Sequence, residues 1–548
     1  EYSERLLPID EVIEGVHLPD EIVALAWFVS RYYQCAPGMA FELTVPPLTR
    51  ARGPARGDAG GADGPYPPVA TPTPLLNPAQ QSAIDAIAAS LGSFARFLLH
   101  GVTGSGKTEV YLRVARDAVA RGGQVLLLVP EINLTPQFEE RVRDAMPQGC
   151  AVMLHSGLPA GMRRANWDAA ASGVAQVVLG TRLAVFTPLP RLALIVVDEE
   201  HDDSFKQQDG VRYHARDLAI WRARRRAVPI VLGSATPAIE TWRRAHSGQA
   251  QLLTLGSRAA PGAAPPVIAF APLRGAATTD GLTGALVDAL AETLVRREQA
   301  LLFINRRGFA TSLKCCACTW EAVCPRCTAR LVVHRGPNRL RCHHCAHAEH
   351  LPRACPECGN VDLAALGFGT QRLEVAIRSA FPDARVARVD RDTTRTRDAF
   401  ASVRKRVDEH EVDILVGTQM LAKGHDFGRL TLVGVLGADN ALYSADFRAT
   451  ERLAALLVQV AGRAGRAGRP GRVIVQTDFP THLVYRTLAD GDYAHFAADV
   501  LAEREVAQLP PAARVALLSC EARERAEVDR FLERAVACGR ELAADGVA

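Results

Sequence analysis

Apolar and polar positions along the chain follow two alternating rhythms. Short apolar runs at 97–100, 125–130, 151–154, 176–180, 192–198 and 230–234 predict buried strands. Stretches with helical spacing separate them. Leu76-Asn77-Pro78-Ala79-Gln80-Gln81 opens one helix, with Asn77 as N-cap and Pro78 in the first turn. Residues 109–121 predict another. A second block repeats the rhythm, with strands expected at 300–305, 365–367, 385–389, 413–418, 430–436 and 472–477. Buried apolar strands alternating with helices predict an α/β fold with parallel sheets.

The flanks read differently. Residues 22–33 are apolar and helix-like, and with 41–47 they look like the end of a small domain. Residues 51–73 are rich in Gly, Ala, Arg and Pro. Such a stretch buries too little apolar surface to offset its ordering entropy, so it reads as a linker. From 493 the chain is helical and charged, with no readable motif.

A chain of 548 residues is too long for one core, so several domains are expected. A formal charge of +4 is too small to argue for or against nucleic acid. No run of eighteen apolar residues predicts a membrane span. Residues 1–5 do not read as a signal peptide, and they lack an initiator Met, so a fragment or processed form is expected. Eight of the thirteen cysteines form four C-x-x-C pairs between 315 and 358, a pattern of zinc in a reducing compartment rather than of disulfides.

The strongest chemical signal is Gly101-Val102-Thr103-Gly104-Ser105-Gly106-Lys107-Thr108, a full phosphate-loop pattern between a strand and a helix. Glycines let backbone amides wrap phosphate oxygens at the positive end of the helix. Lys107 adds a charge toward the outer phosphates, and Thr108 offers a hydroxyl to Mg²⁺. Leu194 to Val197 is an apolar strand ending in Asp198-Glu199-Glu200-His201. Asp198 can hold Mg²⁺ and Glu199 can orient the attacking water. Gly233-Ser234-Ala235-Thr236-Pro237 follows. Gln459-Val460-Ala461-Gly462-Arg463-Ala464-Gly465-Arg466 supplies two arginines, Arg463 and Arg466, able to reach a γ-phosphate from a second lobe.

The cysteine pairs are Cys315/Cys318, Cys324/Cys327, Cys342/Cys345 and Cys355/Cys358. Each pair can offer two thiolates to one tetrahedral metal, so eight make two four-thiolate sites. Thiolates suit Zn²⁺ or an iron–sulfur cluster, and four knuckles at this spacing favour zinc. Spacing alone leaves the pairing open.

Together these stretches resemble the PriA family of bacterial replication-restart (primosomal) DNA helicases of superfamily 2. The likeness runs through 101–111, 128–137, 154–158, 198–214, 303–309, 414–427 and 444–468. It implies two RecA-like parallel-sheet lobes, 74–255 and 256–490, with a Cys-rich two-zinc insert at 313–362. Residues 1–50 would be the remnant of an amino-terminal DNA-binding domain, and 491–548 a shortened carboxyl-terminal domain. Cys315, Cys318, Cys355 and Cys358 would form an outer zinc site, and Cys324, Cys327, Cys342 and Cys345 an inner one.

The resemblance further implies that Gln80 reads adenine, and that Gly101, Thr103, Gly104, Ser105, Gly106, Lys107 and Thr108 hold ATP. His201, Ser234, Thr236, Thr418, Gln419 and Lys423 would couple hydrolysis to DNA. It also implies an aromatic-rich loop at 204–214, where Phe205 and Tyr213 would stack on bases and Lys206 and Arg212 would contact phosphates. Phe205 stands where tyrosine is usual, and Val211 where an aromatic is expected.

The implied activity is an ATP-dependent 3′→5′ DNA helicase with ATP, Mg²⁺ and two Zn²⁺. Expected partners are single-stranded and forked DNA, primosome proteins, single-strand DNA-binding protein and the replicative-helicase loader, in the bacterial cytoplasm at the nucleoid. Two alternatives are a catalytically silent primosome scaffold and a double-strand DNA translocase that does not unwind. The first requires damaged catalytic residues, yet Lys107, Asp198, Glu199 and Arg466 are intact. No winged helix fits within the linker, so weaker fork selectivity is expected.

Overall fold

The computed structural model describes the chain outside residues 1–16, 46–74, 131–135, 148, 260–263, 274–277, 280, 306–311, 316, 319, 327–330, 335–338, 343–346, 367–369, 391–392, 394–396, 419–420, 422–427, 445, 466–468, 519, 521 and 545–548. Seven parallel strands form a first sheet. They are β1 (Arg96–Gly101), β2 (Gln124–Leu128), β3 (Ala151–Leu154), β4 (Val177–Gly180), β5 (Leu192–Asp198), β6 (Ile230–Ser234) and β7 (Gln251–Leu255), in the order β3-β4-β2-β5-β6-β1-β7. Successive side chains of a strand point to opposite faces, which splits the core in two. Leu126, Leu128, Ile195, Val197, Ile230 and Leu232 pack into one layer. Val125, Leu127, Leu194, Val196 and Val231 pack into the other.

Helix α1 (Asp20–Tyr32) and the short α2 (Pro37–Glu42) precede this lobe in sequence. They do not stand apart as the end of another domain. Ile22, Leu25, Ala26 and Val29 are fully buried in the first layer, beside α7 (Ala215–Arg226). The contact carries a buried ion pair. Arg222 Nε donates to Glu21 Oε1 at 2.7 Å, and its Nη1 donates to the carbonyls of Val185 and Thr187. A charge left unpaired there would be costly, so the pair fixes α1 against the lobe.

In the second layer lie α3 (Pro78–Ala89) and α4 (Lys107–Ala120), the helix that follows the phosphate loop. Helix α3 begins as the sequence suggests. Asn77 Oδ1 accepts from Gln80 N and Gln80 Oε1 accepts from Asn77 N, a capping box with Pro78 in the first turn. Helices α5 (Pro136–Ala145), α6 (Ala160–Ala171) and α8 (Ile239–His246) complete the lobe.

The second lobe is a six-stranded parallel sheet, in the order β17-β18-β11-β19-β20-β8. Its strands are β8 (Val267–Ala271), β11 (Gln299–Ile304), β17 (Val386–Val389), β18 (Ile414–Gly417), β19 (Leu430–Leu436) and β20 (Arg472–Gln476), with a two-residue pair β9 (Thr278–Thr279) and β10 (Leu282–Thr283) between the first two. Helices α9 (Gly284–Val295), α10 (Thr370–Ala380), α11 (Arg397–Asp408) and α12 (Ala449–Ala461) accompany it.

Between β11 and β17 lies the cysteine-rich insert, a five-stranded antiparallel sheet. It comprises β12 (Ser312–Cys315), β13 (Val332–His334), β14 (Arg339–Arg341), β15 (Ala348–His350) and β16 (Leu363–Leu366). The run expected at 365–367 as a strand of the second parallel sheet therefore belongs to the insert, where Ala365 pairs with Leu313. Residue 367 lies outside the described residues. Leu313, Ala322, Leu331 and Leu340 give the insert its own small core.

The described residues up to Ala497 form one compact unit and those from Ala498 onward another. The second contains the helix Arg525–Ala544, on which Phe531, Val536 and Leu542 are exposed. Among the described residues no helix is long and apolar enough to cross a membrane.

Candidate active site and metal centre

Strands β5, β6 and β1 are neighbours, so their carboxyl ends bring Asp198, Ser234 and the phosphate loop together. Crevices at the carboxyl ends of parallel strands are where such sheets bind ligands. Gly104 and Gly106 have φ of +82° and +83°, backbone that L side chains rarely adopt. At Gly106 a Cβ would also lie 2.2 Å from Gln80 Nε2. Lys107 is buried, and its Nζ donates to the Gly101 carbonyl at 3.0 Å. Thr108, the first-turn residue after it, is half-buried.

Gln80 packs under the phosphate loop. Its Oε1 is used by the capping box, and its Nε2 donates to the Ser105 carbonyl at 3.0 Å. Both ends of the amide are engaged by the chain, and the residue buttresses the loop.

The Asp198 carboxylate is buried and accepts a hydrogen bond from the Tyr111 hydroxyl at 3.1 Å. Burial and the neighbouring Glu199 raise its pKa to about 7, against the pull of Lys107 and of this hydrogen bond. Glu199 sits at φ +47°, an uncommon conformation for a non-glycine residue.

Around Glu199 the two lobes meet. Gln459, from the last turn of α12, donates its Nε2 to Glu199 Oε2 at 3.2 Å and lies 3.1 Å from His201 Nε2. A donor facing Nε2 places the ring proton of His201 on Nδ1, which is 2.7 Å from Ser234 Oγ. Ser234 Oγ in turn accepts from Thr236 N. One hydrogen-bond chain thus runs from lobe 2 through His201 to the Ser-Ala-Thr turn.

Arg463 is close enough to Glu199 to feel its charge, while burial pulls the guanidinium down to about 10. Gly462 packs so tightly on the phosphate loop that a Cβ there would be 2.6 Å from Thr103 Cγ2. Thr418 is half-buried at the end of β18. Arg466, Gln419 and Lys423 lie outside the described residues.

The aromatic-rich loop departs from expectation. Phe205 and Tyr213 are fully buried in the lobe-1 core, Tyr213 edge-on to Phe186 with centroids 5.0 Å apart. Aromatic area this large is more stable packed than in water, and these rings offer no face to a base. Lys206 bonds the Arg212 carbonyl across the loop and lies 5.2 Å over the Tyr33 ring, whereas Arg212 itself is exposed.

Several residues of the site lie inside matching stretches without a role that the sequence names. Tyr111 is one. Glu200 is another: it is fully buried and accepts from Arg216, Thr241 and the amide of Ala238. Far from the loop, Glu451 accepts from Ile239 N at 3.0 Å, Arg448 bonds Glu240, and Arg452 Nε lies 2.9 Å from Asp203. These contacts join residues distant in sequence, so spacing could not reveal them.

In the insert the Sγ atoms of Cys315, Cys318, Cys355 and Cys358 all lie within 4.8 Å of one another. Cys315–Cys358 and Cys318–Cys355 are each 3.5 Å apart. A tetrahedron with 2.3 Å metal–sulfur bonds has edges of about 3.8 Å, so the cluster fits one zinc-sized ion. These four are the residues expected as the outer site. Of the other set, Cys324 and Cys342 are buried in the insert's core, and Cys327 and Cys345 lie outside the described residues.

Comparison with known proteins agrees with this layout. The chain matches the DEAD/DEAH box helicase family over residues 77–245, and the PriA DNA helicase Cys-rich region (CRR) domain over 324–349. It is 43% identical over 482 residues to the replication restart protein PriA of Synechocystis sp., covering 86% of this chain and 58% of that protein. Against the Haemophilus influenzae protein of the same name identity is 43% over 427 residues, covering 78% and 58%. Against that of Treponema pallidum it is 39% over 514 residues, covering 93% and 75%. The chain thus spans under two thirds of the length of the first two relatives. Two parallel-sheet lobes, a phosphate loop facing α12 and a four-thiolate cluster in an insert accompany sequence identity along most of the chain: it belongs to the PriA family of replication restart proteins.

Proposed function

We propose that the chain is an ATP-dependent 3′→5′ DNA helicase acting in replication restart at stalled forks and in primosome assembly. The observation that carries this reading is the meeting of Gln459 and Arg463 from one lobe with Glu199 and His201 from the other, beside the phosphate loop. A hydrolysis site shared by two lobes couples the presence of a γ-phosphate to their relative position.

In this reading the amides of 103–108 and Lys107 hold the triphosphate. Thr108 and Asp198 supply hard oxygen donors that fit Mg²⁺, which when bound neutralises phosphate charge. Glu199 orients the attacking water, and Gln459 fixes the Glu199 carboxylate. Arg463 and Arg466 stabilise charge on the transferred group. His201, Ser234 and Thr236 relay the state of the site toward DNA, with Thr418, Gln419, Lys423, Lys206 and Arg212 on the DNA side. Phe205 and Tyr213 are left out as stacking groups.

The lobes are taken as 74–255 and 256–490, with the insert at 313–362. A second zinc held by Cys324, Cys327, Cys342 and Cys345 is part of the proposal. It is supported by the buried placement of Cys324 and Cys342 in one small core. Closed four-thiolate sites leave no open coordination position, so both metals are structural. Single-stranded and forked DNA, primosome proteins, single-strand DNA-binding protein and the replicative-helicase loader are the proposed partners, in the bacterial cytoplasm.

The test is ATP hydrolysis with and without single-stranded DNA, alongside Lys107→Ala. Stimulation by DNA that vanishes in the variant supports the motor. Hydrolysis indifferent to DNA sinks it. Strand displacement set beside triplex displacement then separates unwinding from translocation alone.

A further inference from the structure

Tyr111 lies one turn beyond Lys107 on α4, and its side chain is buried within the second core layer. A phenylalanine would fill that volume equally well. The hydroxyl is instead spent on Asp198, donating to Oδ1 at 3.1 Å. It also occupies the space over Gly233, where a Cβ would sit 1.5 Å from the phenol oxygen. Gly233 is paired with Asp198 across β5 and β6, and its carbonyl accepts from Glu200 N. One phenol therefore touches the phosphate-loop helix, the acidic strand end and the strand leading to Ser234.

We propose that Tyr111 is a positioning residue. Its hydroxyl fixes the Asp198 carboxylate by occupying one oxygen, leaving the other for the divalent cation that accompanies the triphosphate. The absence of a side chain at Gly233 is what makes room for this bond. The proposal rests on the reading of Asp198 as a metal-holding acid. A purely structural phenol would affect melting but not the cation requirement, because removing a buried hydrogen bond without changing volume alters only what that bond held.

The experiment uses the full chain and Tyr111→Phe. Binding of a fluorescent non-hydrolysable ATP analogue is titrated with Mg²⁺ and repeated in EDTA, and melting is recorded in parallel. The Mg²⁺ midpoint is expected to rise about tenfold in the variant, the scale of one hydrogen bond to a charged acceptor. Affinity in EDTA should stay unchanged. Gly233→Ala, which displaces the phenol, should shift the midpoint in the same direction. It carries the test if the phenylalanine variant melts too low to measure. An unchanged midpoint in a folded variant overturns the proposal. A wild-type chain whose analogue binding ignores Mg²⁺ overturns the reading of Asp198 as well, and the wild-type titration alone tells the two failures apart.

Discussion

The nucleotide cleft and the cysteine cluster are built on opposite plans. The cluster draws its four sulfurs from one stretch, 315–358, folded on its own sheet with its own small core. The cleft draws on Gln80, Lys107, Asp198, Ser234, Gln459 and Arg463, which lie on elements scattered from α3 to just beyond α12. Local spacing sets each knuckle of the first, and the pairing of β12 with β16 brings the two knuckles together. Strand order sets the second, since it makes β5, β6 and β1 neighbours. A consequence of the difference is that each region should fail without the other.

The largest separation should come from Lys107→Ala. Loss of the phosphate-holding cation lowers DNA-stimulated ATP hydrolysis on the order of a hundredfold or more, while zinc content by elemental analysis stays that of the wild type. Metal removal is the converse. Chelation, or Cys318→Ser, should open the insert to protease, with binding of an ATP analogue changed by less than about twofold. Protection of the insert after complete chelation would break the comparison, because the metal would then add nothing to its folding.

Acid should act on the first lobe through groups that spacing did not reveal. Burial lowers the pKa of His100 and of His214 to about 4, so each is neutral in the folded lobe at neutral pH. The unfolded chain protonates both histidines first, so their contribution is complete above about pH 6.5 and falls as pH drops toward 4. Asp198 acts in the opposite direction. Its pKa is raised to about 7, so its contribution is greatest at low pH and is lost as pH climbs toward 7. Two histidines against one carboxyl leave a net loss of about 1 kcal/mol per pH unit on acidification from 6.5 to 5. Denaturant unfolding of the lobe between pH 6.5 and 5 measures it, and the slope should vanish or reverse in His100→Gln/His214→Gln.

The smallest effect is expected at Arg452→Ala. The Arg452–Asp203 pair is partly exposed, so its loss should cost no more than about 1 kcal/mol. It should appear as a reduced salt dependence of ATP hydrolysis, with zinc retention untouched.

Much of the fold could be read from apolar runs. Strands at 151–154, 192–198, 230–234 and 430–436 have the expected bounds. Strand β7 was missed because it is an edge strand whose residues are mostly half-exposed and carry no unbroken apolar signal. Strand β8 was missed for a similar reason, since its first residue, Val267, is exposed. The run at 365–367 was assigned to the wrong sheet, because a short apolar run does not say which partner it will find.

Within the site, motifs named Lys107, Asp198, Glu199 and Arg463, whose chemistry is intrinsic to the residue type. The resemblance implied stacking at Phe205 and Tyr213, which the fold buries instead, since an aromatic can serve a core as readily as a base. Tyr111 and Glu200 stand inside matching stretches, but their roles lie in what they touch, and only the fold decides that.

Helix α12 ends at Gly462, pressed on Thr103, and begins beside Arg448, whose guanidinium holds Glu240 on α8. Thirteen helical residues form a rod of about 20 Å. A rod held at both ends against the same lobe cannot yield at one end alone. A change of fit at Gly462 is therefore felt at the Arg448–Glu240 pair, about 20 Å away along the same helix.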